Sequence, residues 1–439
     1  SKSGILGRIL GFLHDAVPPS EFAGLERRVE RCTDHAFQME NLIGTFFSTL
    51  DDFLLEQRDG KNVGNYGQQE RILPSTRTQP AWLNVEITWE DAQVVMRSLL
   101  KSTEQVALNL VEFSKSGFGD IDDLEDVYNN LTNVYRRVEE VFENIESLVF
   151  EPQPDRIYWA EVRSNSRGLT LQAAPLHIGT LMQEYVWHQK HAVILTSATL
   201  TTAGEFDYIR NRLYAEDAYE IALGSPFDYE NSTLLYIPDN IPEPGDRFGH
   251  QRSIEQALIQ VCRATGGRTL VLFTSYAQLR KTSQAISSVL GDAGILIFEQ
   301  GEGASPHALL ESFKAAEQAV LLGTRSFWEG VYIPGEALSV LVIVKLPFDV
   351  PSDPIIAARS ETFEDPFNQY ALPEAILRFR QGFGRLIRSE TDRGVVVILD
   401  KRVLTKRYGS LFITSLPQCT KRVGPVQNLA REVVSWLNL

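Results

Sequence analysis

Between Leu377 and Arg393 the chain reads Leu-Arg-Phe-Arg-Gln-Gly-Phe-Gly-Arg-Leu-Ile-Arg-Ser-Glu-Thr-Asp-Arg, and an apolar run follows directly and ends at Asp400. The pattern predicts a helix over 373–388 and then a buried parallel strand over 394–399. On that helix Gln381, Arg385 and Arg388 stand four and three residues apart, so they share one face. An amide and two guanidinium groups facing one way suit a multiply charged oxyanion, because Arg presents planar, paired donors to phosphate. The competing reading is a solvated basic helix face, which charge runs usually are.

Other stretches place hydroxyls or cations where strands are expected to end. Thr196-Ser-Ala-Thr-Leu200 follows the apolar run 192–196, and Ser197 and Thr199 there suit either a ligand at a strand's carboxyl end or a helix N-cap. Thr274 and Ser275 close the run Leu270–Phe273 just before a helix, a place that suits phosphate. Gly323-Thr-Arg-Ser-Phe-Trp-Glu-Gly-Val-Tyr-Ile-Pro-Gly335 follows the strand expected at 319–322, and Lys345-Leu-Pro-Phe348 follows the one at 339–344.

Taken together these stretches carry a resemblance. Gln381-x-x-Gly384-Arg385-x-Ile387-Arg388 resembles motif VI of superfamily 2 helicases. Leu399-Asp400-Lys401-Arg402, Tyr408-Gly409 and Leu416-Pro417 resemble its DinG/XPD branch in particular. The resemblance implies that Arg385 and Arg388 act as fingers on the ATP γ-phosphate, with Gln381 assisting and Gly384 in the nucleotide-coupling set. Ser197-Ala-Thr199 is similar to motif III, which implies coupling of nucleotide to nucleic acid. Thr274 and Ser275 match motif IV, a contact to the strand backbone. Trp328-Glu329-Gly330-Val331 matches motif V. That match implies phosphate contacts from Thr324 and Arg325, and a tie between DNA and ATP through Glu329 and Gly330. Trp328 is either a stacking platform for DNA or packing. Tyr332 departs from the family, which has Asp there.

Two boxes of that family do not occur. No Gly-x-x-x-x-Gly-Lys-Ser/Thr loop is present; Gly266-Gly-Arg-Thr269 is the nearest likeness and reads as a helix-ending turn. No Asp-Glu-x-His box is present to hold Mg²⁺. Both lie upstream of motif III in the family. The resemblance therefore implies a carboxyl-terminal portion that begins after them and does not hydrolyse ATP by itself, with ATP and Mg²⁺ belonging to the intact enzyme. Cys32, Cys262 and Cys419 are too few for a four-cysteine iron–sulfur site, so such a cluster is expected upstream if the parent has one.

The elements that must position these residues fall into two regimes. Apolar residues recur every three or four positions from Phe22 to Phe53, from Ala92 to Phe113 and from Leu124 to Leu148. These stripes predict three long helices in an elongated bundle. Thr88-Trp-Glu-Asp91 reads as the capping box of the second. The Gly- and Pro-punctuated residues 59–80 read as an exposed loop or short irregular hairpin and 117–123 as a turn. Strands are expected at 157–162 and 169–173 around a turn at 165–168, and again at 192–196. From Thr233 onward strands at 233–237, 269–274, 295–298, 319–322, 339–344 and 394–399 alternate with helices, notably 250–264, 276–290 and 306–316. The expected fold is thus α/β: a RecA-like parallel-sheet motor domain with an arch-like helical bundle at the amino end. The expected division is 1–154 for the bundle, 155–224 for the last strands of a first motor domain, and 225–439 for the second.

Charge follows the same division. The chain carries -15 overall; residues 1–150 hold 14 Lys/Arg against 25 Asp/Glu, and the remainder 28 against 32. Residues 378–407 hold nine basic side chains and three acidic ones. Nucleic acid is therefore expected at the carboxyl half and a protein partner at the acidic bundle. No run reaches the ~18–20 apolar residues of a membrane span, and cytoplasm is the expected compartment. The expected partners are ATP and single-stranded or forked DNA, with 5′-to-3′ movement implied by the family. The alternatives are the helicase-like module of a DinG-type exonuclease, or a non-catalytic binding remnant of such a motor.

Overall fold

In the computed structural model, residues 4–14, 18–58, 68–115, 121–162, 168–202, 204–301, 303–328, 333 and 335–439 are described. The three stripes form the helices Pro19–Gln57, Trp82–Lys115 and Ile121–Val149. Leu25, Val29, Cys32, Met39, Phe46, Leu50 and Phe53 of the first are all buried, as a seam repeating every three to four residues requires. Phe46 and Phe53 pack on Trp89 and Trp82 of the second helix. The Trp89 indole donates to Glu146 Oε2 of the third at 2.7 Å.

Two expectations in this region are corrected. Thr88 does not begin a helix: the helix starts at Trp82, and the Thr88 hydroxyl donates back to the Asn84 and Val85 carbonyls. Trp82 and Val85 are fully buried, so core packing extends the helix beyond the point where local chemistry would stop it. The expected loop or irregular hairpin at 59–80 holds β1 (Gln68–Arg71), which pairs outside that segment, and the short helix Pro74–Arg77. Residues 59–67 and 116–120, and most of the turn expected at 165–168, lie outside the described residues.

β1 pairs antiparallel with β2 (Arg156–Val162), which pairs antiparallel with β3 (Leu169–Pro175). Alternation along β2 sends Tyr158 and Ala160 into the helical core and Ile157 and Trp159 against Ala358. These elements make one compact unit, Ser1–Leu176 with Ser352–Ala358; the second is His177–Pro351 with Arg359–Leu439. The division by compactness thus falls at 176, where the sequence suggests 154 and 224.

The second unit holds a parallel sheet in the order β10-β4-β9-β8-β5-β7-β6. Its strands are β4 (Thr233–Pro238), β5 (Thr269–Leu272), β6 (Leu296–Glu299), β7 (Ala319–Gly323), β8 (Val340–Ile343), β9 (Gly394–Ile398) and β10 (Thr420–Gly424). Leu235, Leu270, Leu321, Leu341 and Val396 face one core, under the helices Pro306–Ala315 and Leu372–Phe383. Leu234, Val271, Val320, Val340 and Val395 face the other, under Arg247–Thr265, Tyr276–Gly291 and Leu429–Leu437. A sheet covered on both faces is why these strands read as unbroken apolar runs.

The expected strand 192–196 does not form: among the described residues it pairs with none, and Ile194 is 89% exposed. An apolar extended segment becomes a strand only where a neighbour offers its backbone groups. Among the described residues, no helix is long and apolar enough to cross a membrane.

Candidate active site

Because the seven strands run parallel, their carboxyl ends share one edge, the edge at which open α/β sheets present ligand-binding loops. The loops after β5, β7, β8 and β9 carry Thr274 and Ser275, Thr324 to Trp328, Lys345, and Asp400 to Arg402.

Trp328 is the hub of this edge. It is 1% exposed and its indole donates to the Phe273 carbonyl at 3.1 Å. A Cβ on Gly382 would lie 2.8 Å from the indole, so the helix Leu372–Phe383 passes close only because residue 382 is glycine. This overturns the expectation of Trp328 as a DNA-stacking residue. The ring has no open face, and packing, the alternative reading, is what the structure adopts.

Arg385 reaches the same hub: its Nε donates to the Trp328 carbonyl at 3.1 Å. The helix expected over 373–388 stops at Phe383 with Gly384 as its C-cap, so Gln381, Arg385 and Arg388 do not share a helical face. Gln381 lies in the last turn, and both arginines lie in the loop beyond it. Leu386 and Ile387, each 3% exposed, are drawn into the core. Asp392 accepts from the Arg388 and Ser389 backbone N–H groups. Gly382 and Gly384 weaken a continued helix, and the Asp392 carboxylate holds the loop that replaces it.

Thr324 is 5% exposed, and its N–H and hydroxyl both donate to Gln300 Oε1, at 2.7 and 2.9 Å. Gln300 in turn donates to the Ser326 hydroxyl. Thr324 is thereby a fixed anchor for the loop, whereas the Arg325 side chain beside it is 72% exposed, with Asp349 at 3.9 Å. Asp349 is held chiefly by Arg378, at 2.9 and 3.0 Å. Thr274 is exposed, and Ser275 caps the helix Tyr276–Gly291 by accepting from the Gln278 N–H. Glu329, Gly330 and Tyr332 lie outside the described residues.

Ser197 and Thr199 form a turn in which the Thr199 N–H donates to Ser197 Oγ at 3.1 Å. Arg380, the residue before Gln381, clasps this turn: it donates to the Ala198 carbonyl at 3.2 Å and to the Thr201 carbonyl and hydroxyl. Glu374, six residues earlier on the same helix, accepts from Tyr208 Oη at 2.6 Å and pairs with Arg212. The helix Leu372–Phe383 therefore grips the 198–212 segment at two points. Arg380 was not legible as a site residue, since it matched no spacing, and Gln300 had no signal of its own.

Asp400 is fully buried, and it accepts from the Leu346 N–H at 2.9 Å and from the Arg402 backbone and guanidinium. It thereby ties the loop after β8 to the loop after β9. Next to it His250, 1% exposed, has Nε2 2.7 Å from the Leu399 carbonyl, which puts its proton on that nitrogen. Burial holds His250 below the ordinary imidazole range, and burial likewise lowers Lys345 despite Asp400 nearby. Among the described residues no group of three or more His, Cys, Asp or Glu is placed to hold a metal.

Residues 258–419 match the family model described as Helicase C-terminal domain. The chain is 37% identical to the 3'-5' exonuclease DinG of Bacillus subtilis, over 63% of this chain and 31% of that protein. It is 37% identical to the ATP-dependent DNA helicase YoaA of Haemophilus influenzae, over 66% of this chain and 45% of that protein. Its YoaA counterpart from Escherichia coli gives 36%, 64% and 43%. The chain thus spans less than half the length of these relatives. In fold it is similar to a solved XPD helicase, with a TM-score of 0.51 and 16% identity, over 88% of this chain and 64% of that one.

Proposed function

The chain is DinG/XPD-like, with a helicase C-terminal domain over residues 258–419, and from that premise we propose that it is the portion of an ATP-dependent DNA helicase that supplies the arginine fingers and single-strand contacts. The observation that carries this reading is that one buried residue is bonded from both sides: the Trp328 indole donates to the Phe273 carbonyl, just before Thr274, and the Trp328 carbonyl accepts from Arg385 Nε. A shift of the arginine loop is therefore passed directly to the loops that hold DNA.

In this reading Arg385 and Arg388 stabilise charge developing on the γ-phosphate, with Gln381 assisting. Thr274, Ser275 and the exposed Arg325 hold the strand by its phosphates, while Thr324, fixed by Gln300, orients Arg325. Ser197 and Thr199, clasped by Arg380, report the nucleotide state to the helix. Glu329, Gly330 and Gly384 belong to the same coupling set. The Mg²⁺ ligands and the phosphate loop come from upstream sequence, as would any iron–sulfur cluster, and the chain alone does not hydrolyse ATP. In this reading residues 155–224 belong to a first motor domain, and Ile194 and Ile221 within them are exposed, in segments that pair with no strand among the described residues. The intact protein moves 5′-to-3′ on single-stranded or forked DNA in the cytoplasm, and the acidic bundle faces a protein partner.

A second reading is favoured by the name of the Bacillus subtilis relative. In it, an exonuclease domain precedes this chain and the helicase portion acts as an ATP-controlled clamp.

The test is single-stranded-DNA-stimulated ATP hydrolysis by the intact reading frame, against Arg385→Ala and Arg388→Ala. The expected loss is about 10³-fold or more for each. Absence of DNA-stimulated hydrolysis in the intact protein overturns the helicase reading and leaves a binding remnant. Digestion of 3′ ends by that protein selects the second reading.

A further inference from the structure

Phe248 is 83% exposed in the first turn of the helix Arg247–Thr265. A lone exposed apolar side chain asks for no explanation. This one, however, has Lys281 Nζ 5.4 Å from its ring centroid, and Arg247, Arg252 and Arg280 are exposed on the same two helices. The nearby acidic groups are engaged: Asp246 accepts from the Gly249 N–H, and Glu255 from Gln251. In a chain of net charge -15 this is a local excess of cations around an aromatic ring.

Its placement is set by the fold. The helix Arg247–Thr265 follows β4 and the helix Tyr276–Gly291 follows β5, so both begin at the carboxyl edge of the sheet. Gln251 donates to Thr282 and accepts from Gln278, which holds the two first turns side by side. The Phe248 ring therefore meets Lys281 in the second turn of the helix that Ser275 caps, whose first residue, Tyr276, is 40% exposed. One ring face meets a cation, and the high exposure leaves the other open. Aromatic faces beside a cationic groove are how single strands are held without regard to sequence.

We propose that Phe248 is a base-stacking platform for single-stranded DNA, flanked by Arg247, Arg280 and Lys281, alongside the phosphate contacts at Thr274 and Ser275. This rests on the helicase reading above and extends it from phosphate to base. The platform takes any base, because every base has a π-face. It serves the purpose that Trp328, buried in the core, does not.

The test measures binding of the chain to a fluorescein-labelled oligothymidylate and to an abasic phosphodiester of the same length, by anisotropy. Phe248→Ala is expected to weaken oligothymidylate binding about tenfold and to leave the abasic strand unchanged. Phe248→Trp is expected to retain binding, with its indole emission quenched by the stacked base. Arg325→Ala serves as the phosphate reference and is expected to weaken both probes. If Phe248→Ala binds oligothymidylate like the parent chain, or weakens both probes equally, the platform is overturned while the Arg325 result sustains the helicase reading. If the parent chain binds neither probe, both fall together.

Discussion

Among the described residues of the helical unit the buried polar ones are Ser102, Thr103 and Ser147: Ser102 and Thr103 bond the Leu99 carbonyl of their own helix and meet His35 and Cys32 of the first helix, and Ser147 bonds Tyr158. At the carboxyl edge of the sheet the buried bonds join loops and strand ends: Thr324 to Gln300, Leu346 to Asp400, and His250 to the Leu399 carbonyl. The first arrangement costs little, because each hydroxyl is satisfied where it stands. The second buries a carboxylate and an imidazole, groups that are costly to desolvate unless fully bonded. The polar residues that the bundle buries are hydroxyl-bearing ones, which cost little once bonded. An edge that must hold several loops in fixed relation accepts buried polar groups, each spanning two strand ends, and there Arg385 meets Trp328 and the loop after β5.

That contrast can be broken or sharpened. The largest stability effect is expected at Asp400. Asp400→Ala leaves the Leu346 N–H and the Arg402 guanidinium without their acceptor, at a cost of about 3 kcal/mol. The denaturation midpoint of the sheet unit should fall while amide-exchange protection in the long helices holds. A loss below ~1 kcal/mol would show that the edge is no more demanding than the bundle.

A smaller effect is expected from pH. His250 is held neutral, with its affinity for protons below the ordinary value of 6.5. The unfolded chain therefore binds a proton first as pH falls. The stability from neutral His250 is complete above about 6.5 and is lost as the pH drops below it. His250→Gln keeps a donor for the Leu399 carbonyl and should flatten this dependence in urea titrations across that range. An equally steep dependence in the variant would place the titration elsewhere.

The smallest effect is expected in the bundle. Thr88 lies inside a helix and back-bonds to carbonyls, so Thr88→Ala should change stability by no more than about 0.5 kcal/mol. A loss of ~1 kcal/mol or more, as for an N-cap, would return the capping role to Thr88.

The three helical stripes and six of the seven parallel strands were legible because a repeat of burial writes a repeat of apolar residues. β10 was not. Its Thr-Lys-Arg-Val-Gly is an edge strand beside β4, and its mostly exposed side chains carry no apolar signal. The sequence places Thr324, Thr274 and Ser197 after expected strands and Arg385 on a helix; in the structure Trp328 is core and the arginines lie off the helix. The bonds made by Arg380 and Gln300 were not legible, because a side chain that bonds a distant group leaves no local pattern.

The sequence by itself determined which segments alternate between strand and helix, and which loops carry hydroxyl and guanidinium groups at strand ends, for these follow from local periodicity and short spacings. The tertiary structure alone decided where the 372–383 helix ends, that Trp328 is sealed between Phe273 and Gly382, and that Arg380 clasps a turn nearly two hundred residues upstream. Each of those depends on contacts between parts of the chain far apart in sequence, whose energies no local window contains.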